Sequence, residues 1–144
     1  MRKRFVIHEH HASRLHFDLR LEIKGVLKSW AVPKGVSMNP QDKRLAVAVP
    51  DHALGYIDFE GTISEGSYGA GRVAIWDKGE FEAENADVQL KKGKLIFTFY
   101  GAKLKGEFTL VKFQDHEKNW LIIKSKDEFA VKNWKLETVL EPKK

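Results

Sequence analysis

Apolar and polar residues alternate without interruption from Leu15 to Lys24. Leu15, Phe17, Leu19, Leu21 and Ile23 occupy one set of positions; His16, Asp18, Arg20, Glu22 and Lys24 occupy the other. A period of two is the pattern of a β-strand with one buried face. Gly25 turns the chain into a second strand, Val26–Val32, which Pro33-Lys34-Gly35 ends. The short apolar run Leu45–Val49 predicts a buried strand. Val73–Trp76 and Glu80–Glu82 are expected to pair around Asp77-Lys78-Gly79. Val88–Leu90 and Lys94–Tyr100 are expected to pair around Lys91-Lys92-Gly93. Phe108–Phe113 and Trp120–Lys124 close the series. Asp127 can cap a short helix from Glu128, although Val131 and Asn133 make it a poor one. Residues 51–71 form a long connection rich in Gly, Ser and acidic residues, and loops of that length tend to carry function.

Many short strands with little helix predict a mostly β fold: a compact closed β-barrel with short helical segments, or a sandwich. A barrel has the advantage of leaving no exposed sheet edge. The 144 residues fit a single domain, 1–144. A charged fraction of 31% with 11% aromatics argues against disorder. No apolar run is long enough to span a membrane, and the basic Met1-Arg2-Lys3-Arg4 start has no signal-peptide stretch behind it, so the expected compartment is cytoplasmic. Cysteine is absent, which restricts any metal site to His, Asp and Glu ligands. Charge is segregated. Residues 1–44 carry 10 Lys/Arg against 4 Asp/Glu, residues 45–90 carry 2 against 9, and residues 91–144 carry 13 against 7. If the basic segments share one face they suit a polyanion; otherwise they are solvated lysines.

Four of the six histidines fall within nine residues, His8 to His16. His16, Asp18 and Arg20 project from one side of their strand, with His10 six residues before His16. Two His and one carboxylate suit a divalent metal and leave positions open for water and substrate. The planar fork of Arg20 suits a phosphate. The competing reading is the wet face of a half-exposed strand. His8 and His11 are not both expected to be ligands, and His116 sits in a polar turn. Asp51-His52 with Tyr56 forms a second cluster: either a phosphate contact, with His52 able to protonate a leaving oxygen, or a turn without special role. Lys34 and Lys43-Arg44 are further cationic candidates. Glu65-Gly66-Ser67-Tyr68-Gly69-Ala70-Gly71 lacks Gly-Lys-Ser/Thr and is not a P-loop. The four tryptophans read as packing, whereas Tyr68 and Tyr100 stay open.

The run His10-His11-Ala12-Ser13-Arg14-Leu15-His16-Phe17-Asp18-Leu19-Arg20-Leu21-Glu22 resembles the signature of the 3′-phosphoesterase domain of bacterial DNA ligase D, which also occurs as a stand-alone protein in bacteria and archaea. Ser29-Trp30-Ala31-Val32-Pro33-Lys34-Gly35, Lys43-Arg44-Leu45-Ala46-Val47, Asp51-His52 with Tyr56, Phe59-Glu60-Gly61, Glu65-Gly66 with Tyr68-Gly69, Trp76-Asp77, Gly101–Gly106 and Trp120–Lys124 follow in the family's order. The resemblance covers nearly the whole chain. It implies a β-barrel that clears blocked 3′ ends of DNA or RNA at primer–template junctions. A phosphodiesterase step removes a 3′-terminal ribonucleoside, and a phosphomonoesterase step then removes the 3′-phosphate. The implied metal is manganese, with zinc or cobalt as substitutes. Residue by residue, it implies His10, His16 and Asp18 as metal ligands and Arg20 and His52 on the scissile phosphate. Tyr56, Lys34 and Arg44 match other active-site positions, and Glu22 would orient its neighbours. A separate ligase or polymerase of the end-joining pathway is an implied partner, and no membrane is. Neutral ligand histidines imply activity that falls below about pH 6.

There are departures. Members fused into ligase D carry an N-terminal arm before this motif, which makes the diesterase step the less secure one. His8 stands where many members have Gln, and Pro50 where they often have an acidic residue. Two other functions compete: a non-catalytic barrel that binds nucleic-acid 3′ ends, and a metal-dependent hydrolase of small phosphate esters.

Overall fold

In the computed structural model, residues 2–66 and 70–140 are described. The Tyr68-Gly69 match, and with it the open question of Tyr68, lies outside them. The strands are β1 (Lys3–His11), β2 (Leu15–Ile23), β3 (Val26–Val32), β4 (Arg44–His52), β5 (Gly61–Ile63), β6 (Gly71–Glu82), β7 (Lys94–Gly101), β8 (Lys105–Lys112) and β9 (Asn119–Lys124). A 3₁₀ helix spans Leu54–Asp58, and α1 spans Ala86–Lys91. Pairing runs β1-β2-β3-β4-β9-β8-β7-β6 and returns to β1, all antiparallel. The expected closed barrel is therefore present, with β5 added to the free edge of β6 near its start. No described helix is long and apolar enough to cross a membrane.

Three local expectations are corrected. β6 is one strand of 12 residues, not a hairpin about Asp77-Lys78-Gly79. β1 pairs with it from Arg72 to Phe81, with one register shift between Ile7 and His8. Gly79 serves close approach rather than a turn, since a Cβ there would lie 2.3 Å from the Tyr100 carbonyl oxygen. Val88–Leu90 belong to α1, and the Lys91-Lys92-Gly93 turn is its C-terminus. Lys92 is the C-cap, and Gly93 follows at φ 84°, the left-handed residue that ends many helices. Asp127 starts no helix: its carboxylate accepts from the Glu107 and Phe129 amides and from Lys124 Nζ in a turn. β1 itself was not among the expected strands.

The inward positions of β2, Phe17, Leu19 and Leu21, join Phe5, Ile7, Trp30, Phe97, Phe99, Phe108, Leu110, Trp120 and Ile122 in the barrel interior. All are nearly or fully buried, and each such side chain contributes about 1.5–3 kcal/mol of transfer free energy. The outer wall carries a second, small cluster. Val6 and Leu27 meet Ile57 of the 3₁₀ helix, with Leu54, Tyr56 and Ile75 packed around them. The 3₁₀ segment thus roofs the outside of β1–β3. This is why the polar face of β2 is not solvated: Asp18 is 6% and Arg20 4% exposed.

The buried Asp77 ties the β7–β8 turn to β6. Its carboxylate accepts from the backbone amides of Lys78 (3.0 Å), Ala102 (2.9 Å), Lys103 (3.1 Å) and Leu104 (2.8 Å). Asp77→Ala leaves these donors without their acceptor, three of them in one turn, and is expected to lower unfolding free energy by about 3 kcal/mol or more. Urea denaturation of the two proteins checks this; a loss under about 1 kcal/mol would show that the turn holds without it.

Candidate functional site

The register of three strands assembles the site. Lys24 (φ 54°) and Gly25 (φ 79°) form a two-residue hairpin turn with both residues left-handed, the geometry that matches strand twist. That turn pairs Ile23 with Val26, and so places Ser29 opposite Arg20 and Ala31 opposite Asp18. On the other edge of β2, His10 pairs with His16 and His8 with Asp18. Chain alternation then gathers His8, His10, His16, Asp18, Arg20 and Ser29 on the outer wall. His52 arrives at the end of β4 and Tyr56 from the 3₁₀ helix. Together with Ala12, Ala31, Val49, Pro50 and Ile63, the residues His10, His16, Asp18, Arg20, His52 and Tyr56 line a cavity of about 350 Å³. Ala31 opposite Asp18 leaves room above the carboxylate.

Three side chains converge on one point. His10 Nδ1 lies 3.2 Å from His16 Nε2 and 3.5 Å from Asp18 Oδ2, and His16 Nε2 lies 3.2 Å from Asp18 Oδ1. A first-row divalent ion bound at about 2.1 Å spaces adjacent donors by about 3.0–3.4 Å, so the set fits such an ion. Without a cation these electron pairs oppose one another, and a proton is the substitute. Burial disfavours charge on His16, but the hydrogen bond and charge of Asp18 outweigh it and raise its pKa. Burial alone would raise Asp18; hydrogen bonds from His10 and His16, with Arg20 nearby, instead hold it far below the carboxylate range. The described residues contain one such metal-capable cluster, His10, His16 and Asp18.

Arg20 is held at all three nitrogens. Nε donates to His8 Nδ1 at 3.0 Å, Nη1 to Ser29 Oγ at 2.9 Å and to His52 Nδ1 at 3.0 Å, and Nη2 to Asp18 Oδ2 at 3.3 Å. The Tyr56 ring lies 5.0 Å from the guanidinium carbon, touches His52 at 4.6 Å and stacks on Phe59 at 4.8 Å. Burial lowers the Arg20 pKa against the pull of Asp18, yet the group stays cationic. Burial and the Arg20 charge lower His52; burial raises Tyr56. His8 is pushed down to about 4, by burial and then by Arg20.

The model of the DNA ligase D 3′-phosphoesterase domain matches residues 8–112. The chain belongs to this family. It is 47% identical over 127 residues to the multifunctional non-homologous end joining protein LigD of Pseudomonas aeruginosa, a match covering 86% of this chain and 15% of that protein. It is 45% identical over 132 residues to LigD of Mycolicibacterium smegmatis, covering 87% of this chain and 17% of that protein. The chain thus spans about a sixth of the length of the curated relatives it matches.

Of the residues that the 3′-phosphoesterase signature singles out, His10, His16, Asp18, Arg20, His52 and Tyr56 come together around one cavity. Lys34, Arg44 and Glu22 do not line it. Lys34 is exposed after β3, Arg44 lies 3.4 Å from Asp42, and Glu22 accepts from the backbone and side chain of Arg4. Two contributors escaped the sequence reading, Ser29 and His8, which support Arg20 from both sides. The hairpin turn at Lys24-Gly25 was the available signal for Ser29, because its register puts residue 29 across from residue 20.

The His8 shift makes stability depend on pH. Between the unfolded imidazole value of about 6.5 and the folded value of about 4, the unfolded chain binds more protons, so acidification through this window destabilises the metal-free protein. The full effect is roughly 3 kcal/mol. The raised His16 acts oppositely, and its window lies above the ordinary imidazole value. Urea unfolding from pH 7 to pH 4 is expected to show the loss, and His8→Gln to reduce it; equal slopes in both proteins would assign the acid sensitivity to another group.

Proposed function

We propose that this chain is a divalent-metal-dependent 3′-end phosphoesterase. In this reading it converts a nucleic-acid 3′-phosphate to a 3′-OH, and removes a 3′-terminal ribonucleoside in a preceding diesterase step. The observation that carries it is the convergence of His10, His16 and Asp18 beside a fixed guanidinium and a second imidazole in one cavity. Family membership and the end-joining role in the relatives' names support DNA 3′ ends as substrate; the proposal extends to RNA 3′ ends, a cytoplasmic setting, and a ligase or polymerase as the consumer of the 3′-OH. Two imidazoles and a carboxylate suit manganese, with zinc or cobalt compatible.

Hydrolysis joins a water oxygen to phosphorus and breaks the P–O bond to the sugar, whose oxygen leaves with a proton. A divalent ion, when bound by His10, His16 and Asp18, supplies positive charge at the phosphate oxygens and acidifies water. Arg20 adds a fixed cation where negative charge grows. Its four internal bonds leave one Nη2 N–H for a phosphate oxygen, so a two-pronged grip requires release of His52 or Asp18. Accepting from Arg20 at Nδ1 places the proton of neutral His52 on Nε2. A lowered pKa keeps it neutral near pH 7, which suits hydrogen-bond donation to the phosphate better than full proton transfer. Tyr56, kept as a neutral phenol, packs on both groups and limits their motion.

A 5′-labelled primer–template ending in a 3′-phosphate or a ribonucleotide tests this. Turnover to 3′-OH is expected with manganese and is expected to vanish with chelator. His16→Ala and Asp18→Ala are expected to lose about 100-fold or more while retaining β circular dichroism. Absence of any conversion would overturn the proposal, and strand binding unaffected by chelator would then favour the non-catalytic barrel. Faster hydrolysis of a small chromogenic ester than of any oligonucleotide would favour the small-ester hydrolase. Activity is expected to fall on acidification, beginning at or above the ordinary imidazole value because His16 must shed a proton held by Asp18.

A further inference from the structure

We propose that His8 is a positioning residue that fixes the phosphate-binding orientation of Arg20, a role that rests on the reading of Arg20 as a phosphate ligand. His8 is fully buried, and its Nδ1 accepts the Arg20 Nε–H at 3.0 Å. The acceptor must be an unprotonated nitrogen, so the ring proton sits on Nε2. That atom is buried and makes no hydrogen bond of normal geometry, with only the Phe59 carbonyl approaching the ring. An unpaired buried polar atom costs free energy, and packing alone would be served by an apolar side chain here. Two residues before it on the same strand face, Val6 packs against Leu27 and Ile57. The imidazole therefore earns its place through its single acceptor.

The geometry explains why that acceptor matters. A guanidinium held only through its two Nη atoms can still tilt about the line that joins them. Anchoring Nε to β1, while Asp18 of β2 and Ser29 of β3 hold Nη2 and Nη1, fixes the plane from three strands. The His8 ring is itself held edge-on to Tyr56, with centroids 5.3 Å apart at 74°. The fixed plane is what directs the remaining Nη2 N–H. His8 touches neither the three converging donors' common point nor the cavity lining, so it acts through Arg20.

The test compares His8→Gln, whose Oε1 can accept from Arg20, with His8→Leu, which cannot. On a 3′-phosphate primer–template with manganese, His8→Leu is expected to lower kcat about 10–100-fold with KM within about 3-fold, and His8→Gln to restore most of it. In Arg20→Lys, which has no Nε–H, adding His8→Leu is expected to cost little more. An activity-independent readout is the Arg20 Nε–H resonance in nuclear magnetic resonance: slow to exchange in the wild type and His8→Gln, fast in His8→Leu. If His8→Leu fails to fold, His8→Met replaces it. Wild-type rates with unchanged Nε–H protection in the folded apolar variant would overturn the proposal, as would fully multiplicative losses with Arg20→Lys. Wild-type inactivity together with the expected exchange pattern would instead overturn the enzymatic reading and leave the positioning contact standing.

Discussion

A guanidinium cannot be buried on a barrel wall unless nearly all of its donors are met, and Arg20 imposes that condition on the structure around it. Its partners come from β1, β2, β3 and the end of β4, four strands that must be in register for any of the bonds to form. The same condition accounts for the 3₁₀ roof. Without Tyr56 and Ile57 above it, the wall would be wet and Arg20 could be solvated instead of held. Burial makes each bond stronger and each missing bond more costly. Chemistry and folding therefore meet at one side chain, while the bulk of the hydrophobic stabilisation sits on the other side of the wall.

The division between the two faces also sets the electrostatics. The barrel interior along β2 is apolar, whereas the outer face of the same strand presents imidazole, carboxylate and guanidinium in succession. Asp18 stands between two demands. It accepts from Arg20 through Oδ2 and offers both oxygens to the two imidazoles. Hydrogen bonds from His10 and His16, with the charge of Arg20 behind them, keep it ionised, so Asp18 stays available for the metal-ligand role proposed for it. His16 is the group that must change protonation state. Metal affinity and acid sensitivity are thus two views of competition for one nitrogen.

The alternation from Leu15 to Lys24 was legible because it persists for a whole strand, and so were the barrel and the triad. Period two, however, reports only that two faces differ; it does not say that one is wet. The burial of Asp18 and Arg20 comes from the 3₁₀ segment, more than thirty residues further along, and no local pattern announces that packing. The same limit explains β6. Asp77-Lys78-Gly79 has turn composition, yet Asp77 is used as a buried acceptor and Gly79 for close approach to Tyr100. Lys91-Lys92-Gly93 misled for a related reason: a left-handed glycine closes a helix as readily as a hairpin, and six residues of helix are too few to show a period. Ser29 was within reach of the sequence through the Lys24-Gly25 register. His8 was not, because its value lies in one contact across a strand pair.

Of the cations that the sequence offers for the phosphate, Arg20, Lys34, Lys43 and Arg44, Arg20 alone lines the cavity. That changes how affinity and rate should divide. A cavity of about 350 Å³ admits the end of a strand, not a duplex. Under the proposed activity, the remaining length of a primer–template would lie on the surface, where exposed lysines act additively and are screened by salt. In that reading Arg20 meets only the last phosphate, in a buried setting where orientation decides its effect. Changes to its supports belong in kcat, and changes to surface lysines belong in KM and in its salt dependence. On the proposed reading this separation makes the His8 contact measurable: a buried acceptor that does not itself line the cavity acts on turnover through Arg20.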